Sequence, residues 1–236
     1  MSVAQDVRDF IEKVDNGKLF SYDDIQSEKK SVVAIELSRL SKQGIVKRLS
    51  KGKYYKPKQG YFGEVPLSDN EVLKSYLNMP NTYVAGLKAF NEMGLTTQVP
   101  KVITIASEMQ PRRVKIKNLE IQFVPIKQKI NKRDIPLVRL LDALENINKI
   151  PDTTTENVIA YVKNSMMKLS KKEIKKISIY ALKYRPKTKA ILGALLELLG
   201  WDKEAKKLQE TLNPLSSYKV GVSEDLLPNK KKWKII

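Results

Sequence analysis

The stretch over residues 29–58, KKSVVAIELSRLSKQGIVKRLSKGKYYKPK, constrains the fold most, because its residue pattern changes once and sharply. Residues 29–43 contain neither proline nor glycine, and Gly44 follows where a helix end favours a left-handed residue. The apolar residues recur at the spacing of one helical face: Val33, Leu37 and Leu40. We therefore predict a helix over 29–43, with Ser27 or Ser31 capping its start.

After Gly44 the pattern is typical of two short strands joined by a turn over residues 50–53, SKGK. Basic residues crowd this hairpin: Lys47, Arg48, Lys51, Lys53, Lys56 and Lys58. Residues 28–60 carry ten Lys and Arg against two Asp and Glu, whereas residues 1–27 carry three against six. The positive charge is thus concentrated on the helix and the hairpin, where a DNA duplex would meet it.

The segments before this stretch predict a helix over 2–15, a short strand at Leu19-Phe20 and a second short helix capped by Ser21. Helix, strand, helix, helix and hairpin is the order of a winged helix-turn-helix. The candidate DNA contacts on the helix and wing are Lys29, Lys30, Ser31, Ser38, Arg39, Lys42, Lys47, Arg48, Lys51, Lys53 and Lys56. A lysine-rich hairpin is also typical of a solvated sheet edge, and a winged helix also serves as a protein-interaction module.

The composition narrows the chemistry further. The net charge of +18 favours an anionic partner, nucleic acid before membrane. Cysteine and histidine are both absent, which removes thiolate and imidazole metal ligands, Cys nucleophiles and the Ser-His-Asp triad. We expect no metal site, no cofactor and no enzymatic activity. No apolar run is long enough to cross a bilayer and no signal-peptide core is present, so we expect a cytoplasmic protein.

We predict an α+β chain in which a winged helix-turn-helix over 1–60 precedes a mostly helical domain with a small antiparallel β-sheet over 69–236. Residues 61–68 are predicted to be a linker, which Tyr61 and Phe62 would allow to dock against a domain. The elements predicted in the second domain are helices over 69–78 and 82–93, a strand over 101–106, an antiparallel hairpin over 114–125 turning at Lys117-Asn118, helices between residues 135 and 212, and an irregular basic tail over 213–236.

Several stretches carry a resemblance to a known family. The segment IELSRLSKQGIVKRLSKGKYYKP at 35–57 resembles the N-terminal winged helix of AbiEi-type antitoxins, the regulators of abortive-infection toxin–antitoxin systems. The other stretches similar to this family are GLTTQVPKVITIAS at 94–107, RRVKIKNLEIQFV at 112–124, YRPKTKAILGALLELLG at 184–200 and LNPLSSYKVGVSEDLLPNKKKW at 212–233.

The resemblance implies a phage-defence repressor that binds inverted repeats of double-stranded DNA in its own promoter, as a monomer or as a dimer on DNA. It also implies an antitoxin that counters a nucleotidyltransferase-type toxin, without a tight complex in the best-studied members. Lys51 and Lys53 would then act in the wing, and Arg112 and Arg113 are candidate antitoxin residues. Two alternatives stay open: an ordinary winged-helix transcription factor with a ligand-sensing or dimerisation domain, and a protein-interaction module that binds a toxin directly.

Overall fold

The computed structural model describes residues 2–50, 52–116 and 119–236. These residues form two compact units. Unit 1 takes Met1–Met79 with Ile116–Leu119, and unit 2 takes Pro80–Lys115 with Glu120–Ile236. The chain mixes helices with small sheets, so the predicted α+β class is confirmed.

Unit 1 begins with helix α1, Val3–Lys13, whose start is capped by Ser2. Strand β1, Leu19–Ser21, leads into a 3₁₀ turn, Tyr22–Asp24, at the place of the predicted second short helix. The predicted cap is confirmed, because the Ser21 hydroxyl accepts from Asp23 N at 3.1 Å and Asp24 accepts from Ser21 N at 2.7 Å. Three residues suffice here because this capping box already satisfies the first amide groups.

Helix α2, Lys30–Lys42, confirms the central helix predicted from the apolar spacing. Its end is also as expected, because Gly44 has a positive φ of 76°. Its start is not: Lys29 occupies the cap position and no side chain caps the helix. Ser27 instead accepts a hydrogen bond from Lys29 N at 3.3 Å, so the predicted cap at Ser27 or Ser31 is wrong.

Strands β2, Lys47–Ser50, and β3, Lys53–Tyr55, pair antiparallel and form the predicted hairpin. Strand β1 also pairs antiparallel with β3, which gives a three-stranded sheet in the order β1-β3-β2. The sheet packs with α1 and α2 around one apolar core. Its buried members are Val7, Ile11, Phe20, Ile25, Val33, Leu37, Leu40, Val46 and Tyr54.

The predicted linker over 61–68 is not a simple connection. Strands β4, Lys58–Gly60, and β5, Gly63–Val65, form an antiparallel hairpin there, and helix α3, Asp69–Leu77, still belongs to unit 1. Glycines at both ends of the two-residue tip carry the turn, a pattern that also suits a flexible connection. Tyr61 and Phe62 form this tip, and both are fully exposed rather than docked.

Unit 2 contains a four-stranded sheet in the order β6-β7-β9-β8. Its strands are β6, Tyr83–Ala85; β7, Val102–Ser107; β8, Arg112–Ile116; and β9, Leu119–Pro125. The predicted strand at 101–106 and hairpin strands at 114–125 are present, although the predicted turn at Lys117-Asn118 lies outside the described residues. The predicted helix over 82–93 is wrong in its first part, where β6 precedes helix α4, Gly86–Glu92.

The unit 2 sheet is mixed rather than purely antiparallel. Strand β6 pairs antiparallel with β7, but β7 and β9 run parallel. The chain passes from β7 to the sheet edge as β8 and then returns as β9 between them. Hairpin signals in the sequence identify β8 and β9 as neighbours, but they do not indicate where that pair inserts.

The rest of unit 2 is helical, as predicted, and its helices pack into a large apolar core. They are α5, Ile135–Glu145; α6, Thr155–Met166; α7, Lys171–Ala181; α8, Pro186–Leu198; and α9, Asp202–Gln209. A short 3₁₀ turn, Lys132–Asp134, precedes α5. Within the described residues, no helix is both long and apolar enough to cross a membrane.

The irregular tail after α9 is packed rather than loose. Trp233 is 2 % exposed, and its ring lies against Gly193 in the middle of α8. A Cβ atom built at Gly193 would lie 2.2 Å from two atoms of this ring, so glycine is required by the close approach. The Trp233 indole donates to Glu197 at 2.7 Å, which makes this acid an anchor of the tail instead of a free surface group.

Basic residues of the tail also have internal partners. Lys230 donates to the Val222 carbonyl at 2.6 Å, and Lys231 pairs with Glu224 at 2.7 Å. Lys232 pairs with Glu197. The basic cluster at the end of the sequence therefore contributes to packing in unit 2.

The buried carboxylate of Asp142 links helix α5, strand β6 and the turn between α7 and α8. Asp142 on α5 accepts hydrogen bonds from the hydroxyls of Tyr83 on β6 at 2.9 Å and of Tyr184 at 2.8 Å. Burial raises the pKa of Asp142, although both hydrogen bonds oppose this shift. Burial also raises the pKa of each tyrosine, with a further increase from the Asp142 charge. Both carboxylate oxygens thus have an internal donor, which indicates a structural role.

Candidate nucleic-acid interface

The outward face of α2 is the first component of the candidate interface. Helix α2 turns Val33, Leu37 and Leu40 into the core, so the opposite side faces solvent. Positions 31, 35, 38 and 42 follow one line along that side and are all exposed: Ser31, Ile35, Ser38 and Lys42. This line carries hydroxyl donors, one cation and one apolar side chain, and it carries no acid.

Ile35 is the residue on this face that the sequence prediction missed. Its side chain is 55 % exposed at the centre of the line. The available signal was its position, since Ile35 is out of phase with the buried residues Val33, Leu37 and Leu40. An apolar side chain in a major groove contacts the methyl group of thymine, so Ile35 is suited to reading sequence rather than to binding phosphate.

A buried acid organises the arginines beside this face. Glu36 is 4 % exposed, and its carboxylate pairs with Arg8 of α1 at 3.3 Å and with Arg39 at 3.6 Å. The arginine side chains remain 58 % and 71 % exposed. Glu36 therefore fixes one side of each guanidinium while leaving the rest open to a ligand. Arg8 was not among the predicted contacts, because its place beside α2 depends on the packing of α1.

Two predicted DNA contacts, Lys56 and Lys30, are instead bound to the carbonyl ends of helical segments. Lys56 lies at the end of α1, where its Nζ donates to the carbonyls of Ile11 at 3.1 Å, Glu12 at 3.3 Å and Val14 at 3.1 Å. Lys30 lies at the end of the 3₁₀ turn, where its Nζ donates to the carbonyls of Tyr22 at 3.3 Å, Asp23 at 3.5 Å and Ile25 at 3.0 Å. Cations at these ends donate to the carbonyl groups that cluster at the end of a helix and interact favourably with its dipole.

Lys53 has a similar internal role in the last turn of α3. Its Nζ donates to the Ser75 hydroxyl at 3.0 Å and to the Ser75 carbonyl at 3.4 Å. It also lies 3.2 Å from the centroid of the Tyr76 ring, in a cation–π contact. The wing role predicted for Lys53 therefore competes with a contact inside unit 1.

The base of the hairpin is partly neutralised. Lys47 pairs with Glu64 of β5, and the Tyr55 hydroxyl donates to the same carboxylate at 3.3 Å. The hydrogen bond to Glu64 raises the pKa of Lys47 and keeps its ammonium charged. Arg48 is exposed and donates to the Ser50 carbonyl at 3.4 Å. Lys51, the predicted wing-tip contact, lies outside the described residues.

The remaining candidates have free side chains at the surface. Lys29 and Lys42 are exposed, and neither forms an ion pair within the part of the chain that the structure describes. Together with Arg39 and the two serines of the outward face, they form the polar part of the exposed surface of α2. This surface can donate hydrogen bonds to phosphate oxygens and to base edges.

The candidate antitoxin residues Arg112 and Arg113 lie on β8, in unit 2, and are exposed. Arg113 donates to Gln122 at 3.2 Å and lies 3.8 Å from Glu120. Arg112 lies 5.4 Å from the centroid of the Phe123 ring. Both side chains thus contact strand β9. Their antitoxin role stays a prediction.

Across residues 2–50, 52–116 and 119–236, no group of three or more Asp and Glu side chains is arranged to hold a metal ion.

Comparison with known proteins identifies a family. A sequence profile of DUF6088, described as a family of unknown function, matches residues 6–164. The chain belongs to DUF6088. A search of curated proteins gives no match. The crystal structure of the RV2827C protein from Mycobacterium tuberculosis is similar at a TM-score of 0.46 and 12 % sequence identity, over 94 % of this chain and 86 % of that one. This similarity is too low to carry a functional assignment.

In this DUF6088 protein, Lys56 and Lys42 provide a matched pair for separating the two uses of lysine. Lys56→Met is expected to lower the free energy of unfolding by about 1–2 kcal/mol, because the three carbonyls each lose a hydrogen bond from a charged donor. Lys42→Met is expected to leave stability within about 0.5 kcal/mol of the wild type, since its side chain is exposed. Urea unfolding followed by circular dichroism measures both. Equal losses in the two variants would contradict the assigned role of Lys56.

Proposed function

We propose that this chain is a sequence-specific DNA-binding repressor, in which residues 1–60 act as a winged helix-turn-helix. Helix α2 would be the recognition helix, and the β2–β3 hairpin would be the wing. The proposal is supported by the order of elements in unit 1 and by the β1-β3-β2 sheet that carries the hairpin.

The observation that carries the proposal is the outward face of α2. It offers Ser31, Ile35, Ser38 and Lys42 along one line, with Arg39 beside it. Thirteen residues at about 1.5 Å each give a helix of roughly 20 Å, a length that fits along a major groove about 12 Å wide. Hydroxyls and an apolar side chain read base edges, whereas Lys42 and Arg39 would contact phosphate.

We further propose an antitoxin role in an AbiE-like system, in which the protein represses its own promoter and counters a nucleotidyltransferase-type toxin in the cytoplasm. This part rests on the sequence resemblance, and Arg112 and Arg113 remain its candidate residues.

A protein-interaction module that binds a toxin directly is a second candidate function. The tip of the β4–β5 hairpin favours it, because Tyr61 and Phe62 are both fully exposed. A stable complex with the toxin and no affinity for DNA would support this function over the first.

The test is fluorescence anisotropy with DNA from upstream of the coding sequence and with random duplex of equal length. We expect tighter binding to the upstream DNA and, if about five phosphates are neutralised, a log–log salt slope of roughly −4.5. Ile35→Ala is expected to relax preference at one base pair, at a cost of about 1–3 kcal/mol on the preferred sequence. Lys42→Ala is expected to weaken binding to every DNA sequence by the same factor and to make the salt slope shallower by about 1.

Lys203→Ala is the matched control, because Lys203 is an exposed lysine on α9 in unit 2. It should change neither preference nor slope. Equal affinity for upstream and random duplex, with no effect of Ile35→Ala, would refute sequence-specific binding.

A further inference from the structure

A groove in unit 2 lies where the 3₁₀ turn Lys132–Asp134 meets the start of α7. Its volume is about 730 Å³. It is lined by four cations and two acids, which are Lys132, Arg133, Lys172, Lys176, Asp134 and Glu173. None of its lining residues is aromatic.

The segments that line this groove are richer in positive charge than the rest of the C-terminal half. Residues 126–236 carry 24 Lys and Arg against 12 Asp and Glu, a net charge of +12. The segments 131–134 and 170–176, which supply the lining, carry six Lys and Arg against two Asp and Glu, a net charge of +4. One-third of the excess charge therefore comes from 11 residues.

Both acids of the groove are held by internal donors. Asp134 is 5 % exposed and accepts from Lys176 at 2.9 Å and from the Tyr180 hydroxyl at 2.9 Å. Glu173 accepts from the Ser170 amide at 2.8 Å and from its hydroxyl at 2.6 Å. These contacts fix the floor of the groove and tie the 3₁₀ turn to α7.

The other cations have no such partner. Lys132, Arg133 and Lys172 are exposed and form no ion pair with any described residue of the chain. Lys171 and Lys175 on the same helix are exposed and unpaired in the same part of the chain. Lys30 and Lys56 differ from these residues, because their ammonium groups are bound inside unit 1. The unpaired cations of the groove are available to an external anion.

We propose that this groove binds the phosphodiester backbone of a nucleic acid, without reading its sequence. Lysine and arginine side chains that converge on a concave surface match the spaced charges of a phosphate backbone. The absence of an aromatic side chain from the lining argues against base stacking, so the contacts are to phosphate. The groove lies wholly in unit 2, and it needs none of the α2 residues named above.

The experiment compares the full chain with a triple variant, Lys132→Gln, Arg133→Gln and Lys172→Gln. Fluorescence anisotropy is measured with random duplexes of about 20 base pairs, as DNA and as RNA, between 50 and 200 mM salt. We expect the triple variant to weaken binding about tenfold or more, and to make the DNA salt slope shallower by about 2.7, the value for three lost phosphate contacts. A loss with DNA alone or with RNA alone would identify the source of the phosphate.

The control is Lys203→Gln, Lys206→Gln and Lys207→Gln on α9, which changes the net charge equally at three exposed lysines. Equal losses in the two triple variants, or no loss in the groove variant, would overturn the proposal. A groove variant that keeps its nucleic-acid affinity but loses an acidic protein partner would overturn it as well.

Failure here is distinguishable from failure of the proposed repressor function. If the groove variant binds normally while Ile35→Ala alters sequence preference, only the groove proposal fails. If the groove variant weakens binding while Ile35→Ala and Lys42→Ala have no effect, only the role of α2 fails.

Discussion

Trp233→Ala is expected to lower the free energy of unfolding of unit 2 by about 3–5 kcal/mol, the usual cost of deleting a large buried aromatic side chain. The ring is 2 % exposed and fills the space above Gly193. Its indole also donates to Glu197, so the substitution removes both packing and a hydrogen bond to a charged acceptor. Denaturant unfolding measured by near-ultraviolet circular dichroism and by tryptophan fluorescence gives this loss.

Two further variants separate the parts of this contact. Trp233→Phe keeps most of the packing but loses the hydrogen bond to Glu197, so a smaller loss of about 1–3 kcal/mol is expected. Gly193→Ala places a methyl group on α8 in the volume that the Trp233 ring occupies. This variant is therefore also expected to lower the free energy of unfolding of unit 2. A Gly193→Ala variant as stable as the wild type would show that the tail does not pack against α8 in this way.

Asp142→Ala is expected to lower the free energy of unfolding by about 2–4 kcal/mol, the second largest loss. The substitution leaves the buried hydroxyls of Tyr83 and Tyr184 without their acceptor. Asp142→Asn keeps the shape and one acceptor oxygen, so a much smaller loss is expected. Thermal unfolding at pH 7 separates the two variants. Similar losses in both would indicate that the carboxylate charge, rather than its hydrogen bonding, supports the fold.

Comparing the wild type with Asp142→Asn also predicts how the free energy of unfolding depends on pH. Since burial raises the pKa of Asp142 in the folded state, the folded protein holds this proton more tightly than the unfolded chain. The stability of the wild type relative to Asp142→Asn should therefore rise as the pH falls through the raised pKa, and level off below the unfolded value of about 3.9. Lys127 and Glu145 act on Asp142 in opposite directions and are present in both proteins. A relative stability that falls on acidification would contradict the assignment.

The helix at the centre of unit 1 was predictable because its signal is local. Val33, Leu37 and Leu40 define one face without any knowledge of the fold, and Gly44 marks the end. The start was not predictable in the same way. Lys29 occupies the cap position and no side chain caps the helix, while the Ser27 hydroxyl accepts a hydrogen bond from the amide of Lys29 itself.

The candidate contacts illustrate what charge counting omits. Lys30, Lys53 and Lys56 are indistinguishable in sequence from Lys29 and Lys42, because all of them occur in one basic stretch. They differ in the structure because the fold brings carbonyl groups to the ammonium groups of the first three and leaves the other two in solvent. The acceptors lie up to 45 residues away in sequence, so no local pattern indicates them.

The topology of the unit 2 sheet could not be predicted from local sequence patterns either. The alternation over β8 and β9 predicts two neighbouring strands, but the parallel pairing of β9 with β7 depends on contacts across the whole of unit 2. The hairpin over residues 58–65 was hidden for another reason. Its glycines have the composition of a linker, and the cross-strand pairing of residues 58–60 with 63–65 distinguishes a hairpin from a linker.

The contact between Trp233 and Gly193 has a consequence for the order of folding. It joins residues that are 40 positions apart, so forming it closes a loop whose entropic cost is roughly 3 kcal/mol plus a constant. Contacts between neighbouring helices such as α8 and α9 close much shorter loops and are expected to form earlier. Until the indole packs against it, the face of α8 at Gly193 is uncovered, and exposed apolar surface in an incompletely folded chain favours self-association.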